Sequence, residues 1–304
     1  MLYNTHAMVQ KVTKAVIPAA GFGTRFLPQT KAMPKEMLPI VDKPVIQIVV
    51  EGLVEAGIKD IIIVTGYHKR SIEDHFDAPS VDLVTNLKMG GEKKKHLLEE
   101  VEQIGNLANF IYVRQKGPYG NGTPLVNVRT LIGDEPFIYT WSDDFIRAEV
   151  NEFSELIRLY KKYNASVLSS IKLTKDEDYD RFGVAAGKEI EDGVIEVETI
   201  VEKPGKEKAP GNLGNVSSSL FTSDIFNYLD KVMENLRAGE EFYYNDAIKL
   251  MMEDGKRILA AEIKNAKYYD TGNKMGYLRA VVDEALRHKG INGEFRQYLK
   301  EVVK

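Results

Sequence analysis

The sequence predicts an α/β fold, a largely parallel sheet with helices on both faces. Three observations carry that prediction. The runs Lys14–Ala20 and Asp60–Thr65 are short and almost wholly apolar, and a segment of helical periodicity lies between them. Strand, helix and strand within about 50 residues make a βαβ unit. Neither run alternates apolar with polar residues, so both faces of each strand are expected to be covered. The same texture then recurs along most of the chain.

The elements follow in order. Lys14–Ala20 runs into Gly21-Phe22-Gly23, a buried strand feeding a glycine loop. Pro44 opens a helix with apolar residues at Val45, Val49 and Leu53 and at Ile46, Val50 and Val54, and Gly57 suits its C-terminal end. Asp60–Thr65 is the next strand. Phe110–Val113 and Pro136–Trp141 read as strands with a helix-length stretch between them. Gly90–Glu102 is a charged helix with a thin apolar stripe, better solvated than bound to anything. Phe153–Tyr163 is amphipathic and Ala165–Leu173 is a strand. From Phe182 to Val201 short β-rich pieces are broken by Gly187 and Asp192-Gly193. Ser223–Leu229, Asn245–Met252 and Lys274–His288 read as helices, and Arg257–Ile263 as a strand.

Length and composition set limits. A chain of 304 residues hides roughly three quarters of its unfolded surface. Lys and Arg total 41 against 45 for Asp and Glu, a net charge of −4, so no basic excess points to nucleic acid or to an anionic membrane. No apolar run approaches the ~20 residues needed to span a bilayer. The absence of cysteine excludes disulfides, thiolate nucleophiles and Cys-ligated metals, and it suits a reducing cytoplasm, the expected location. Residues 1–13 have neither the basic start nor the apolar core of a signal peptide and read as a flexible leader. No Pro/Ser-rich linker divides the rest, so residues 14–304 are expected to form one catalytic domain, with an inserted β-rich subregion at about residues 175–225.

The chemistry begins with Ala19–Ile40. Phe26 stands where a dinucleotide fingerprint needs its third glycine, Pro28 and Pro34 stop a helix from starting at once, and no GxxxxGK[ST] occurs. What remains is a glycine loop at a strand's C-terminal end, followed by Arg25, Lys31 and Lys35. Gly21 and Gly23 let backbone N–H groups approach an anion. Arg25 offers a planar fork and Lys35 a point charge. Together they read as a triphosphate site. Asp143-Asp144 ends another strand, where α/β sheets bind ligands and hard carboxylate oxygens suit Mg²⁺. In Glu202-Lys203-Pro204 the functional reading gives Lys203 a second phosphate and Glu202 the sugar hydroxyls. In Asp270-Thr271-Gly272-Asn273 it makes Asp270 a second metal ligand. Taken one at a time, these last three read better as turn caps or surface pairs. Their order behind the glycine loop changes the reading.

In that order the sequence resembles the sugar-1-phosphate nucleotidyltransferases. The resemblance is carried by KAVIPAAGFGTRFLPQTKAMPKEMLPIVDKPVIQ, VRQK at Val113–Lys116, GDEPF at Gly133–Phe137, Asp143-Asp144, FGV at Phe182–Val184, VEKP, NDAI at Asn245–Ile248 and DTGNKMGYL at Asp270–Leu278. It implies a Rossmann-like (glycosyltransferase-A-like) α/β three-layer sandwich with a central mixed sheet. It also implies Mg²⁺-dependent transfer of UMP from UTP to glucose 1-phosphate, giving UDP-glucose and pyrophosphate, in a cytoplasmic homodimer or homotetramer. By position, Ala19, Ala20, Gly21, Gly23 and Thr24 would bind the nucleotide, with Arg25 on the leaving phosphates and Lys35 neutralising the triphosphate. Glu36 and Gln115 would read the uracil edge, since a carboxylate accepts from the imide N–H and cytosine has no such donor. Gly120 and Gly122 would line the base or ribose. Gly183, Glu202, Lys203 and Asn212 would hold the sugar phosphate, and Asp143 and Asp270 the Mg²⁺. Arg25, Lys35 and Lys203 would be the catalytic cations.

The chain departs from the family pattern in three places. Gly120-Asn121-Gly122-Thr123-Pro124 replaces Gly-Leu-Gly-His-Ala, Trp141-Ser142 replaces a Leu with Gly or Pro, and Asn215–Ser219 replaces a Gly-Arg-Tyr-like strand. The alternatives that keep the motifs are the same chemistry with dTTP or another hexose 1-phosphate, and a non-catalytic subunit that binds a sugar nucleotide.

Overall fold

Alternation along the first strand, β1 (Lys14–Ala19), sets the layers. Ala15, Ile17 and Ala19 enter one core and Val16 enters the other. The next strand of the central sheet, β4 (Asp60–Thr65), does the same with Ile61 and Ile63 against Ile62 and Val64. The computed structural model, which describes residues 9–303, is therefore a three-layer α/β sandwich. Helices α1 (Val45–Glu55), α6 (Glu152–Tyr163) and α9 (Lys274–Arg287) contribute to one core. Helices α5 (Thr123–Ile132), α7 (Ile225–Glu234) and α8 (Tyr244–Glu253) contribute to the other.

The central sheet has nine strands. Besides β1 and β4 they are β5 (Asn109–Arg114), β6 (Phe137–Thr140), β8 (Ser166–Lys172), β9 (Gly183–Glu191), β10 (Val194–Glu202), β11 (Leu213–Phe221) and β12 (Ile258–Glu262). Their order is β5-β4-β1-β6-β11-β8-β12-β10-β9. The first four run parallel, whereas β11 is antiparallel to both its neighbours, so the sheet is mixed. Two small sheets flank it: β2 (Pro39–Ile40) with β3 (Lys43–Pro44), and β7 (Asp144–Arg147) with β13 (Lys267–Asp270). Helices α2 (Arg70–Phe76), α3 (Val81–Met89), α4 (Lys95–Ile104) and α10 (Asn292–Val302) complete the chain.

Most boundaries follow the local signals. Pro44 precedes α1, and Gly57 takes a positive φ just past its end. The Asn151 side chain caps α6 and Asn273 caps α9, each by accepting a backbone N–H.

Several elements differ from the expectation. The β pieces of residues 182–201 are one long hairpin, β9 and β10, turning at Asp192-Gly193. Register shifts within it account for the broken look of the sequence. Strand β11 was not expected as a strand, because Ser217, Ser218 and Ser219 interrupt any apolar run, yet it lies in mid-sheet with all three serines buried. The proposed leader falls mainly on residues 1–8, outside the described residues. Val12 is already buried, and the Thr13 carbonyl accepts from the Lys59 and Asp60 N–H groups, so the chain is held before β1 begins. No helix among the described residues is long and apolar enough to cross a membrane.

Leu220 sits on β11 with no exposure and packs in the first core. Leu220→Ala should cost about 2–5 kcal/mol of stability, read as a lower denaturant midpoint with an unchanged slope.

Candidate active site

Four neighbouring parallel strands, β5-β4-β1-β6, end on one edge of the sheet, and the loops that leave them lie together there, where open α/β sheets carry ligands. They are the glycine loop after β1, the Gly66–Lys69 loop after β4, Gln115–Gly122 after β5 and Trp141–Asp143 after β6.

Lys35, in the turn after Pro34, places Nζ 2.7 Å from Asp143 Oδ2. Thr271 fixes the same aspartate from the other side, donating from its backbone N–H (3.0 Å) and its hydroxyl (2.6 Å) to the Asp143 carbonyl. Antiparallel pairing of β7 with β13 sets Asp144 opposite Asp270. The start of β7 and the end of β13 therefore lie together beside Gly272. A Cβ added there would lie 2.6 Å from Asp143 Oδ2, 3.0 Å from Asp270 Oδ1 and 3.5 Å from an Arg25 guanidinium nitrogen. With no side chain at Gly272, two carboxylates and a guanidinium border one small gap. Arg25 is exposed and donates to the Gly272 carbonyl at 3.4 Å. Asp270 itself accepts from the Gly272 N–H and from Asn273 Nδ2, both at 2.9 Å.

The charges around this gap are unequal. Burial pushes the Lys35 ammonium pKa down, but Asp143, Glu36 and Asp144 outweigh it, so Lys35 titrates higher than an ordinary lysine. Asp144 is buried, and burial together with the Asp143 charge holds its carboxyl well above the usual range. Its Oδ2 accepts from the Tyr268 hydroxyl at 2.8 Å and its Oδ1 has no partner among the described residues. Asp143 and Asp270 are thus the pair that faces the gap. No group of three or more His, Asp or Glu side chains gathers into a metal cage among the described residues. Two carboxylates completed by substrate phosphates are the ordinary way in which Mg²⁺ is held, and the Asp143–Asp270 pair fits that donor set.

The other expected residues divide. Gly21 lies over Lys35, with the side-chain Cε 3.9 Å from where a Cβ would stand, and the Gly23 carbonyl accepts from the Thr30 hydroxyl at 2.7 Å. Ala20 and exposed Thr24 belong to the same loop, whereas the Ala19 side chain is turned into the core and leaves only backbone to a ligand. Gly183 pairs with Glu202 across β9 and β10, and Glu202 Oε2 would meet a Gly183 Cβ at 2.8 Å. Lys203 follows with a positive φ and stands 3.9 Å from Glu202. Arg181 joins this side to the carboxylates, 3.6 Å from Asp270. Asn212 is exposed, and its carbonyl accepts from the Leu173 N–H. Gln115 is tied to Thr65 through its backbone N–H. Gly120 and Gly122 pack against Phe242. Gly120 has φ +136°, and a Cβ there would collide with the Phe242 backbone, so this glycine is required by close packing as well as by any ligand.

Glu36 departs most from expectation. It has no exposure, and its Oε2 accepts from Lys69 Nζ at 2.7 Å, with Lys69 only 5% exposed. Burial raises the Glu36 pKa, and Lys69 and then Lys35 oppose that rise without cancelling it. Its Oε1 has no partner among the described residues. Sequence reasoning missed Lys69, Arg181 and Tyr268. For Lys69 a signal existed, its place just beyond the C-terminal end of β4, beside the glycine loop's own strand.

Two of the family departures have physical accounts. Glu152, in the first turn of α6, is buried under the sheet and accepts from the hydroxyls of Ser169 (3.2 Å), Ser217 (3.2 Å) and Ser218 (2.9 Å). The serine run thus supplies donors to a carboxylate that would otherwise be unsatisfied. Trp141 and Tyr244 lie with ring centroids 6.5 Å apart and share Tyr139 as a neighbour, which gives the site an aromatic wall beside Ser142.

Comparison with known proteins shows the family. The family model described as nucleotidyl transferase matches residues 14–286. The UTP–glucose-1-phosphate uridylyltransferase of Bacillus subtilis (strain 168) is 43% identical over 295 residues, covering 97% of this chain and 98% of that protein. A protein of the same name from Staphylococcus epidermidis is 40% identical over 294 residues, covering 97% and 99%. Among solved structures, a UTP-bound UGPase from Acinetobacter baumannii superposes with a TM-score of 0.87 at 33% identity, covering 96% of this chain and all of that one. A UDP-glucose pyrophosphorylase complexed with UDP-glucose gives a TM-score of 0.79 at 37% identity, covering 91% and 100%.

Desolvation is the main cause that raises the Glu152 pKa, to about 7, against the pull of its three serine hydroxyls. The folded protein keeps a proton there that the unfolded chain releases above pH ~4.5. Stability should therefore fall as pH rises from about 4.5 to about 7, by up to about 3 kcal/mol, and level off above. Glu152→Gln should flatten that dependence; equal pH profiles of the thermal midpoint in both proteins would contradict it.

Proposed function

The chain belongs to the nucleotidyl transferase family, and from that premise we propose that it transfers UMP from UTP to glucose 1-phosphate, yielding UDP-glucose and pyrophosphate. The observation that carries the reading is the convergence of Lys35 and Arg25 on Asp143 and Asp270 around Gly272, at the C-terminal edge of the parallel strands. The names and bound ligands of the similar proteins support the same substrates.

In this reading the glycine loop at Ala20–Thr24 receives the triphosphate through its backbone. Arg25 and Lys35 neutralise phosphate oxygens and hold them still. Glu202 and Lys203, with Gly183 and Asn212, bind the sugar phosphate on the other side. Glu36 Oε1 and Gln115 meet the uracil edge, and the Gly120–Gly122 backbone lies along the base or ribose. A glucose 1-phosphate oxygen bonds to the α-phosphorus of UTP as the bond from that phosphorus to the α–β bridging oxygen breaks, and pyrophosphate leaves with the electron pair. No enzyme nucleophile takes part, so positioning and charge neutralisation supply the catalysis. When bound between Asp143 and Asp270, Mg²⁺ would add positive charge beside the phosphates. The reading takes residues 14–304 as one catalytic domain, with the β9–β10 hairpin on the sugar side, in a cytoplasmic enzyme that assembles as a homodimer or homotetramer.

A second reading keeps the chemistry and changes the sugar or the base. It is favoured by Trp141, which departs from the family pattern two residues before Asp143 and lies beside Tyr244.

The test is pyrophosphate release with Mg²⁺, offering UTP, dTTP, CTP and ATP with glucose 1-phosphate and then with other hexose 1-phosphates. UTP with glucose 1-phosphate should be the best pair, and preference for another pair would select the second reading. Asp143→Asn should lower kcat by about 10³-fold or more while the fold persists. Activity within a few-fold of the unaltered protein would remove Asp143 from the metal site.

A further inference from the structure

Lys69 lies in no motif of the sequence, yet its ammonium is buried against a carboxylate that has no exposure at all. We propose that Lys69 is a positioning residue that keeps Glu36 a pure hydrogen-bond acceptor and thereby makes the site select uracil-type bases over cytosine. The inference rests on the proposed role of Glu36 at the uracil edge.

One Glu36 oxygen is occupied and one is free. Oε2 accepts from Lys69 Nζ at 2.7 Å, whereas Oε1 is buried with no donor among the described residues. Buried polar atoms without partners are uncommon, and because Oε1 is shielded from solvent a ligand donor completes it only if the surrounding loops give way on binding. The imide N–H of uracil or thymine is such a donor. The corresponding ring nitrogen of cytosine is an acceptor and would face an anionic oxygen with nothing between them. Discrimination of this kind is large because the wrong base leaves buried polar groups unpaired.

That logic holds only while Glu36 is ionised. A protonated carboxyl presents an O–H, which would donate to the cytosine nitrogen and invert the preference. Burial works toward protonation, and Lys69 is the strongest opposing charge, with Lys35 next. Lys35 sits on the same turn but is committed to Asp143 at 2.7 Å. Of the helices packed on that turn, α2 offers His75, which is bonded at 2.8 Å to Gln47 of α1. Among the described residues, Lys69 is thus the one cation paired directly with Glu36. It is delivered by β4, the strand beside β1, so the same sheet edge that carries the glycine loop also sets the charge at the base pocket.

The test compares kcat/KM for UTP and CTP, with glucose 1-phosphate and Mg²⁺, at pH 6 and pH 8, in the unaltered protein, Lys69→Met, Lys69→Arg and Glu36→Gln. The unaltered protein should prefer UTP equally at both pH values. Lys69→Met should raise the CTP/UTP ratio by at least about tenfold at pH 6, and the rise should shrink as pH increases, because loss of the proton restores the acceptor. Lys69→Arg should keep the original preference. If Lys69→Met does not fold, Lys69→Gln, which keeps a donor without the charge, carries the same expectation. An unchanged ratio in the Lys69 variants, with Glu36→Gln collapsing it, would overturn the inference alone. An unchanged ratio in Glu36→Gln as well would overturn the assignment of Glu36 to the base.

Discussion

The contact on which the site depends is the ion pair between Lys35 and Asp143. It joins the loop after β1 to the loop after β6, strands that are neighbours in the sheet. Thr271 then ties Asp143 to the β13 end, and the β7–β13 ladder sets Asp270 beside it. Each link is local, but together they hold opposite charges around a gap that only a glycine leaves open. A side chain at position 272 would fill that space. A site for phosphates needs cations and a place for a counter-charge of its own, and here both come from strand ends that the hydrophobic layers have already fixed. The rigid part of the molecule does the positioning, as pre-organised catalysis requires.

The same region carries three buried carboxylates with three different answers to desolvation. Glu36 has a lysine, Glu152 has three serine hydroxyls, and Asp144 has the Tyr268 hydroxyl with one oxygen left over. An ion pair, a neutral donor set and a partial set hold the proton differently. Glu152 is raised to about 7, and Asp144 well above its ordinary value. The serine run of β11 belongs to this pattern. It replaces a bulkier family stretch with hydroxyls that a buried glutamate needs, so the departure and the glutamate are read as one feature.

The sequence was legible where a single strand or helix carries its own signal. The apolar runs that became β1, β4 and β6 stand out because both of their faces are buried, and Pro44, Asn151 and Asn273 mark helix starts through local chemistry. Strand β11 did not stand out, because what makes it a buried strand is the carboxylate beneath it, contributed by another element. The glycine loop and the aspartates could be picked out as a phosphate and metal site because their residue types act at short range. Lys69 stands just beyond a strand end, which is a signal of position only; its role comes from Glu36, which the sheet brings alongside. Asn273 fulfilled the modest expectation of a helix cap, while Asp270, three residues before it, joined the gap.

The most direct measurement is a crystal structure of the complex with UDP-glucose and Mn²⁺, the ion located by its anomalous scattering. The account predicts a single strong peak between the Asp143 and Asp270 carboxylates, touching the diphosphate, with Lys203 on the phosphate that carries the sugar. An ion bound away from both aspartates, with the diphosphate remote from Lys35 and Lys203, would contradict it.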